Sequence, residues 1–123
     1  MCQMLLSINP KYVKMILSGE KKYEYRKFLC REDVNKIIIY ETSPVKRIVA
    51  EAEIEKIIID DVSKVWDRTK EYSGIDRDFY EIYYRGKEKA FAYQLKNVVS
   101  YEQPKLLADV GVKFAPQSYC YLS

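Results

Sequence analysis

Histidine is absent from this chain, which removes the commonest imidazole metal ligand and the side chain most used as a general base near neutral pH. Any catalysis must therefore run on Lys, Glu, Asp, Tyr, Ser or Cys, with a lysine or carboxylate tuned by its surroundings. Cysteine is scarce as well. Cys2, Cys30 and Cys120 are odd in number and far apart, with neither the paired spacing of a zinc site nor the density of a disulfide scaffold. They read as reduced, mostly buried thiols, and neither a metal nor a cofactor is expected. Long apolar runs are missing too, since strictly apolar stretches reach only three or four residues. No basic-then-apolar leader opens the sequence, so the expectation is a cytoplasmic chain with no membrane span or secretion signal. Repeats and low-complexity segments are also absent.

What is present suffices for one domain over 1–123, because 48% hydrophobic content in 123 residues can fill one core. Gln3 to Ile8 reads as a first strand. Asn9 and Pro10 then read as an N-cap followed by proline at the first helical position, and Tyr12, Val13, Ile16 and Leu17 recur at helical spacing. Gly19 stands where a left-handed C-terminal residue is expected, so the helix runs from Pro10 to Ser18. From Lys22 to Phe28 the period becomes two, which puts Tyr23 and Tyr25 on one face and Lys22, Glu24 and Arg26 on the other. Asn35 to Thr42 is a strand whose Ile37-Ile38-Ile39-Tyr40 run is apolar on both faces and therefore central. Thr42-Ser43-Pro44 is a turn. In the long strand that follows, Ile48, Ala50, Ala52 and Ile54 face inward until the phase breaks near Glu55-Lys56, where a bulge is expected.

Asp60 and Asp61 precede a helix with the stripe Val62, Val65, Trp66 and Thr69, in which Trp66 reads as core. Asp76 caps another helix, with Ile75 placed to staple against Tyr80, a buried stripe of Phe79, Ile82 and Tyr83, and an end at Gly86. Lys89 to Val99 alternates again, and the tail from Pro104 to Ser123 reads as loop followed by a short closing turn. The fold class is α+β, a mixed sheet that curls into a small barrel with three short helices inserted between strands.

One local pattern carries chemistry. Glu24 and Arg26 share a strand face, so the carboxylate can hold the guanidinium fork and leave its other donors for a ligand, with Lys21 in the turn just before them. The residue types alone also fit a solvated strand face with an ordinary surface ion pair. The spacing Gly19, Lys21, Glu24, Arg26, however, resembles the GxKxxExR signature of the ASCH domain, a relative of the PUA RNA-binding module. Leu5-Leu6-Ser7-Ile8-Asn9-Pro10, Ile39-Tyr40-Glu41-Thr42-Ser43-Pro44-Val45 and Ala115-Pro116-Gln117-Ser118-Tyr119 extend the likeness over nearly the whole chain.

The resemblance is to the small stand-alone bacterial and archaeal type, some of which are regarded as transcriptional regulators. It implies a PUA-like β-barrel whose signature turn lines a cleft, with the Ser43-Pro44 turn and the Gln117-Ser118 segment beside it. The implied ligand-binding set is Gly19, Lys21, Glu24, Arg26, Ser43, Lys46, Gln117 and Ser118.

Basic clusters at Lys21-Lys22-Arg26-Lys27, Lys46-Arg47 and Arg85-Lys87-Lys89 would form a rim for phosphates if they converge. Some of the twelve tyrosines could stack on unpaired bases, although Tyr23, Tyr25, Tyr40 and Tyr93 fall on apolar stripes and read as core. The leading expectation is thus an RNA- or nucleotide-binding domain serving RNA metabolism or gene regulation, its partner being RNA or a modified nucleoside. The alternative is a small hydrolase acting on a modified nucleoside or on RNA, with Lys21 and Glu24 catalytic. In amidohydrolase relatives a lysine matching Lys21 is implicated together with a threonine where this chain has Glu24. That departure would keep Lys21 charged and weaken its use as a base. Glu71 offers a separate carboxylate. An interaction protein pairing through an edge at Asn35–Thr42 is the third reading.

Overall fold

A computed structural model describes residues 2–122; Met1 and Ser123 lie outside the described residues. Six strands form one mixed sheet: β1 (Cys2–Ile8), β2 (Tyr23–Arg26), β3 (Val34–Glu41), β4 (Arg47–Asp61), β5 (Lys89–Lys105) and β6 (Tyr119–Leu122), in the order β2-β5-β4-β3-β1-β6. Three helices, α1 (Pro10–Ser18), α2 (Val62–Thr69) and α3 (Arg77–Tyr83), are inserted between strands. The first crossover is the decisive one for the site. Strand β1 pairs with β3 in parallel, which requires a long connection, and that connection carries both α1 and β2.

The ladder is open, with β2 and β6 as its edges, so the barrel expected from the resemblance is not closed by backbone pairing among the described residues. Side chains bridge the opening instead. Arg26 on β2 reaches the carbonyls of Ser7 and Ser118, and Phe28 stacks on Tyr119 with ring centroids 4.0 Å apart. The tail differs from its expectation as well: Tyr119–Leu122 is a strand antiparallel to β1, and a 3-10 turn at Leu107–Val110 precedes it. Four residues at a chain end carry too little period to be legible, and their pairing comes from the open side of β1. Strand β3 lies between β4 and β1, so the edge that would have hinted at an interaction protein is not there.

The register of β4 against β5 shifts between Ile54 and Lys56, where the sequence phase breaks. Helix α1 is bounded as its caps dictate: the Asn9 side chain accepts from the Lys11 amide, and Gly19 adopts a left-handed φ of 87°. In α2 the buried residues are Val65, Trp66 and Thr69. In α3 the buried face is Tyr80, continued by Tyr84, while Phe79 and Ile82 are exposed. The expected stripe is therefore rotated. Both faces of this short helix are apolar, and the choice falls to the face whose hydroxyls find acceptors: Tyr80 donates to the Val62 carbonyl at 2.7 Å and Tyr84 to the Arg26 carbonyl at 2.7 Å.

Burial divides into three clusters. Met4, Leu6, Ile8, Val13, Ile16, Ile37 and Ile39 meet Tyr93 and Leu95 under α1. Trp66, Tyr80 and Tyr84 of the helical insertion pack on Tyr25, Ala90 and Ala92. Leu5, Ile38, Tyr40, Ile48 and Leu122 fill the other side of the sheet. The candidate site lies where β2 passes between α1 and α3.

Candidate functional site

Gly19 ends α1 and turns the chain so that Lys21 points back under the helix; the Lys21 amide donates to the Met15 carbonyl at 3.0 Å. Its side chain is 3% exposed. The ammonium donates to the Ser73 carbonyl at 2.6 Å, lies 3.9 Å from Glu24 Oε1, and faces the rings of Tyr12 and Tyr25 at 5.5 and 5.0 Å from their centroids. The turn at Ser73-Gly74 is shaped around this lysine. Gly74 has φ +71°, and a Cβ there would stand 2.8 Å from Lys21 Cβ, Cγ and Cδ. Only glycine fits both the backbone angle and that approach.

Burial lowers the Lys21 pKa, Arg26 adds to the lowering, and Glu24 opposes it. Desolvation outweighs the carboxylate, so Glu24 offsets only part of the lowering.

Arg26 is committed to the protein. Its Nε and Nη2 donate to Glu24 Oε2 at 3.2 and 2.8 Å, Nη2 also to the Ser7 carbonyl at 3.2 Å, and Nη1 to Ser118 Oγ and O at 3.0 and 3.4 Å. A guanidinium has five N–H donors, and each of these has a protein acceptor. The donors expected to remain for a ligand are therefore already used. Glu24 Oε1 accepts no hydrogen bond among the described residues and is ion-paired with Lys21 at 3.9 Å. The Lys21 ammonium, with two further N–H groups, and this oxygen are the charged atoms that keep hydrogen-bonding capacity for a ligand.

Around them is a cavity of about 210 Å³, lined by Lys21, Glu24, Tyr25 and Arg26 from the strand side. Ser7, Ile8, Asn9 and Tyr12 form the α1 side, and Ile75, Phe79 and Tyr83 the α3 side. Tyr12, Ile75 and Phe79 also border an outer groove of about 710 Å³, whose far wall carries Glu71 and Tyr72. The phenols keep their protons: burial raises the Tyr12 and Tyr83 pKa values and pushes Tyr25 up to about 12.

The structure brings together Lys21, Glu24, Arg26 and Ser118 of the expected set. Gly19 acts at the helix end. Ser43 and Lys46 are exposed on the β3–β4 turn, where Lys46 borders a separate groove with Leu106 and Val112, and Gln117 is exposed. The walls from Tyr12, Phe79 and Tyr83 were not legible as a site. The available signal was that α3 holds more aromatic and apolar residues, Phe79, Tyr80, Ile82 and Tyr83, than one helix face buries.

The ASCH domain family model matches residues 6–105. The chain belongs to the ASCH domain family. Solved structures of ASCH from Zymomonas mobilis superpose with a TM-score of 0.88 at 30% identity, covering 98% of this chain and 87% of that one. A curated relative, "ASCH domain-containing ribonuclease" of Zymomonas mobilis, is 33% identical over 94 residues, which is 76% of this chain and 64% of that protein. A second, "Large ribosomal subunit protein uL22" of Ureaplasma parvum, is 30% identical over 119 residues, or 96% of this chain and 38% of the relative. The chain thus spans well under two thirds of the uL22 relative's length. The ASCH match ends at Lys105, whereas the Arg26 clamp takes an acceptor from Ser118, beyond it.

Proposed function

We propose that this ASCH domain binds RNA, holding one unpaired base or phosphate in the Lys21–Glu24 cavity. The observation that carries the reading is a buried ammonium ion-paired at 3.9 Å with a carboxylate oxygen in a cavity walled by Tyr12, Phe79 and Tyr83. A base presents donors and acceptors side by side on its Watson–Crick edge, and aromatic walls favour its ring, as single-stranded RNA recognition requires. Sites for drug-sized ligands run to roughly 300–1,000 Å³. At about 210 Å³ this cavity suits a single ring or phosphate, with the remainder of the ligand outside. The relative carrying a ribonuclease name supports RNA as the ligand class. Through such binding the chain would act in RNA metabolism or gene regulation.

A second reading, RNA cleavage, is favoured by one specific observation: burial lowers the Lys21 pKa, a common property of catalytic lysines. Here Glu24 Oε1 would take the proton of the 2′-hydroxyl as its oxygen bonds to phosphorus, and the P–O5′ bond would break with the Lys21 ammonium stabilising the charge and giving its proton to the departing 5′-oxygen. Arg26, with its donors engaged, would hold Glu24 in place.

Incubation of wild type, Lys21→Ala and Glu24→Gln with labelled single-stranded RNA, read by both retention and product size, tests the two together. Retention that Lys21→Ala weakens at least tenfold supports binding, and shortened product lost in both variants supports cleavage. Wild-type protein that neither retains nor cuts RNA overturns both.

A further inference from the structure

The two flanks of the cavity differ in the charges they leave unpaired. On the outer groove, Glu20, Glu71 and Asp76 stand beside Lys11 and Lys70, with Lys22 over the Tyr72 ring at 4.2 Å, and none of those carboxylates has an ion pair among the described residues. The Tyr83 flank is the reverse. Lys27, Arg85 and Lys87 are exposed and have no carboxylate within ion-pair distance among the described residues. Lys89, the third member of that basic run in the sequence, is spoken for by Asp61 at 3.0 Å.

Local structure brings Lys27 and the turn carrying Arg85 and Lys87 to the same end of α3. The ammonium of Lys27 lies 4.4 Å from the centroid of the Tyr83 ring, itself a wall of the cavity. Tyr84 ties the end of α3 to the strand carrying Lys27 through its bond to the Arg26 carbonyl at 2.7 Å. Arg85 and Lys87 then flank Gly86 in a tight turn, fixed by the Lys87 amide donating to the Tyr84 carbonyl at 2.9 Å. No ion pair has to break for these cations to meet phosphate, and each neutralised phosphate releases counterions. On the other flank, carboxylates would repel the same backbone.

We infer that Lys27, Arg85 and Lys87 form a strip that takes the phosphodiester backbone of a single-stranded RNA, whose unpaired base enters the cavity past Tyr83, while the Glu71–Asp76 groove carries no backbone. This rests on the RNA-binding reading above. It gives the bound strand a route across the α3 end of the domain, and it separates backbone contacts from the Lys21–Glu24 pair that meets the base.

The test is fluorescence anisotropy of a short dye-labelled single-stranded RNA titrated with protein over a salt series. The variants are Arg85→Gln/Lys87→Gln, Lys21→Ala, and Lys56→Gln/Lys113→Gln as an equal loss of exposed charge elsewhere. The strip variant is expected to flatten the slope of log affinity against log salt by roughly 1.4, from about 0.7 per phosphate on a single strand. The control keeps the wild-type slope, and Lys21→Ala weakens binding with the slope nearly intact. A strip variant with the wild-type slope, or a control that loses as much, overturns the strip while RNA binding stands. Wild-type protein that binds polyglutamate but no RNA would assign these cations to an acidic protein partner and overturn both readings.

Discussion

Lys21 is the residue whose chemistry departs furthest from its sequence surroundings. Ordinary exposed lysines titrate near 10.4, but burial depresses the Lys21 pKa with Glu24 only partly compensating. The sign follows from linkage. Between the depressed folded value and the unfolded value the native state binds fewer protons, so this group destabilises the fold below that window and ceases to do so as pH rises through it. Ligand binding has the opposite dependence, because an anion or base acceptor needs the charged ammonium. RNA affinity is therefore expected to fall on raising pH at a point below the titration of ordinary lysines. Lys21→Arg, which stays charged, should abolish that alkaline limb even if it weakens binding overall. Anisotropy titrations across an alkaline pH series check this, and parallel limbs in both proteins would remove Lys21 from the ligand contact. The position of Lys21 was legible from the GxKxxExR spacing, but its burial was not. That depends on Gly74 and the Ser73 carbonyl, 53 and 52 residues away along the chain, which no local pattern connects to it.

Among the elements, β2 shows how much a short strand can depend on one side chain. It is four residues long and pairs, among the described residues, only with β5, and its free edge faces the gap to β1 and the segment leading into β6. Arg26 crosses that gap to Ser7 and Ser118 while holding Glu24. The sequence pattern correctly put Glu24 and Arg26 on one face, since strand period alone dictates it, but it could not show that a tail segment would supply acceptors and use up the guanidinium. The helical stripe of α3 failed for a related reason: its phase was set by hydroxyl partners on other elements. Removing Arg26 leaves a buried carboxylate without its fork, which costs about 3–5 kcal/mol. Lysine has one point charge and cannot span the three partners, so Arg26→Lys is expected to recover little of that loss. Ser118→Ala, which removes one acceptor and leaves the carbonyl, should cost about 1 kcal/mol. Denaturant unfolding of the three variants checks the order, and an Arg26→Lys protein as stable as wild type would show that the clamp is not needed.

Taken as a whole, the molecule packs a helical insertion on one part of its sheet, and β5 runs through both cores. Ala90 and Ala92 of β5 pack beneath Trp66, Tyr80 and Tyr84, whereas Tyr93 and Leu95 of the same strand fill the core under α1. The insertion also grips β2 and the turn before it, by the Tyr25–Thr69 hydroxyl pair at 2.7 Å and the Lys21–Ser73 bond at 2.6 Å. With its core continuous through β5 and its buried polar groups shared, the insertion has no independent way to open, and a domain of this size is expected to unfold in one step. The chain's one tryptophan, Trp66, sits inside the insertion with its ring 4.8 Å from Tyr80, so its emission reports that part while far-UV circular dichroism reports mainly the sheet. The two transitions should coincide in denaturant. Val65→Ala, which deletes two methyl groups from a fully buried site, should shift both to the same lower midpoint, for a loss of about 2 kcal/mol. An emission change that precedes the dichroism would mean that the wall bearing Ser73, Phe79 and Tyr83 opens before the sheet does. The cavity would then be closed by a separately moving flap, and the geometry of Lys21 and Glu24 would describe only its shut state.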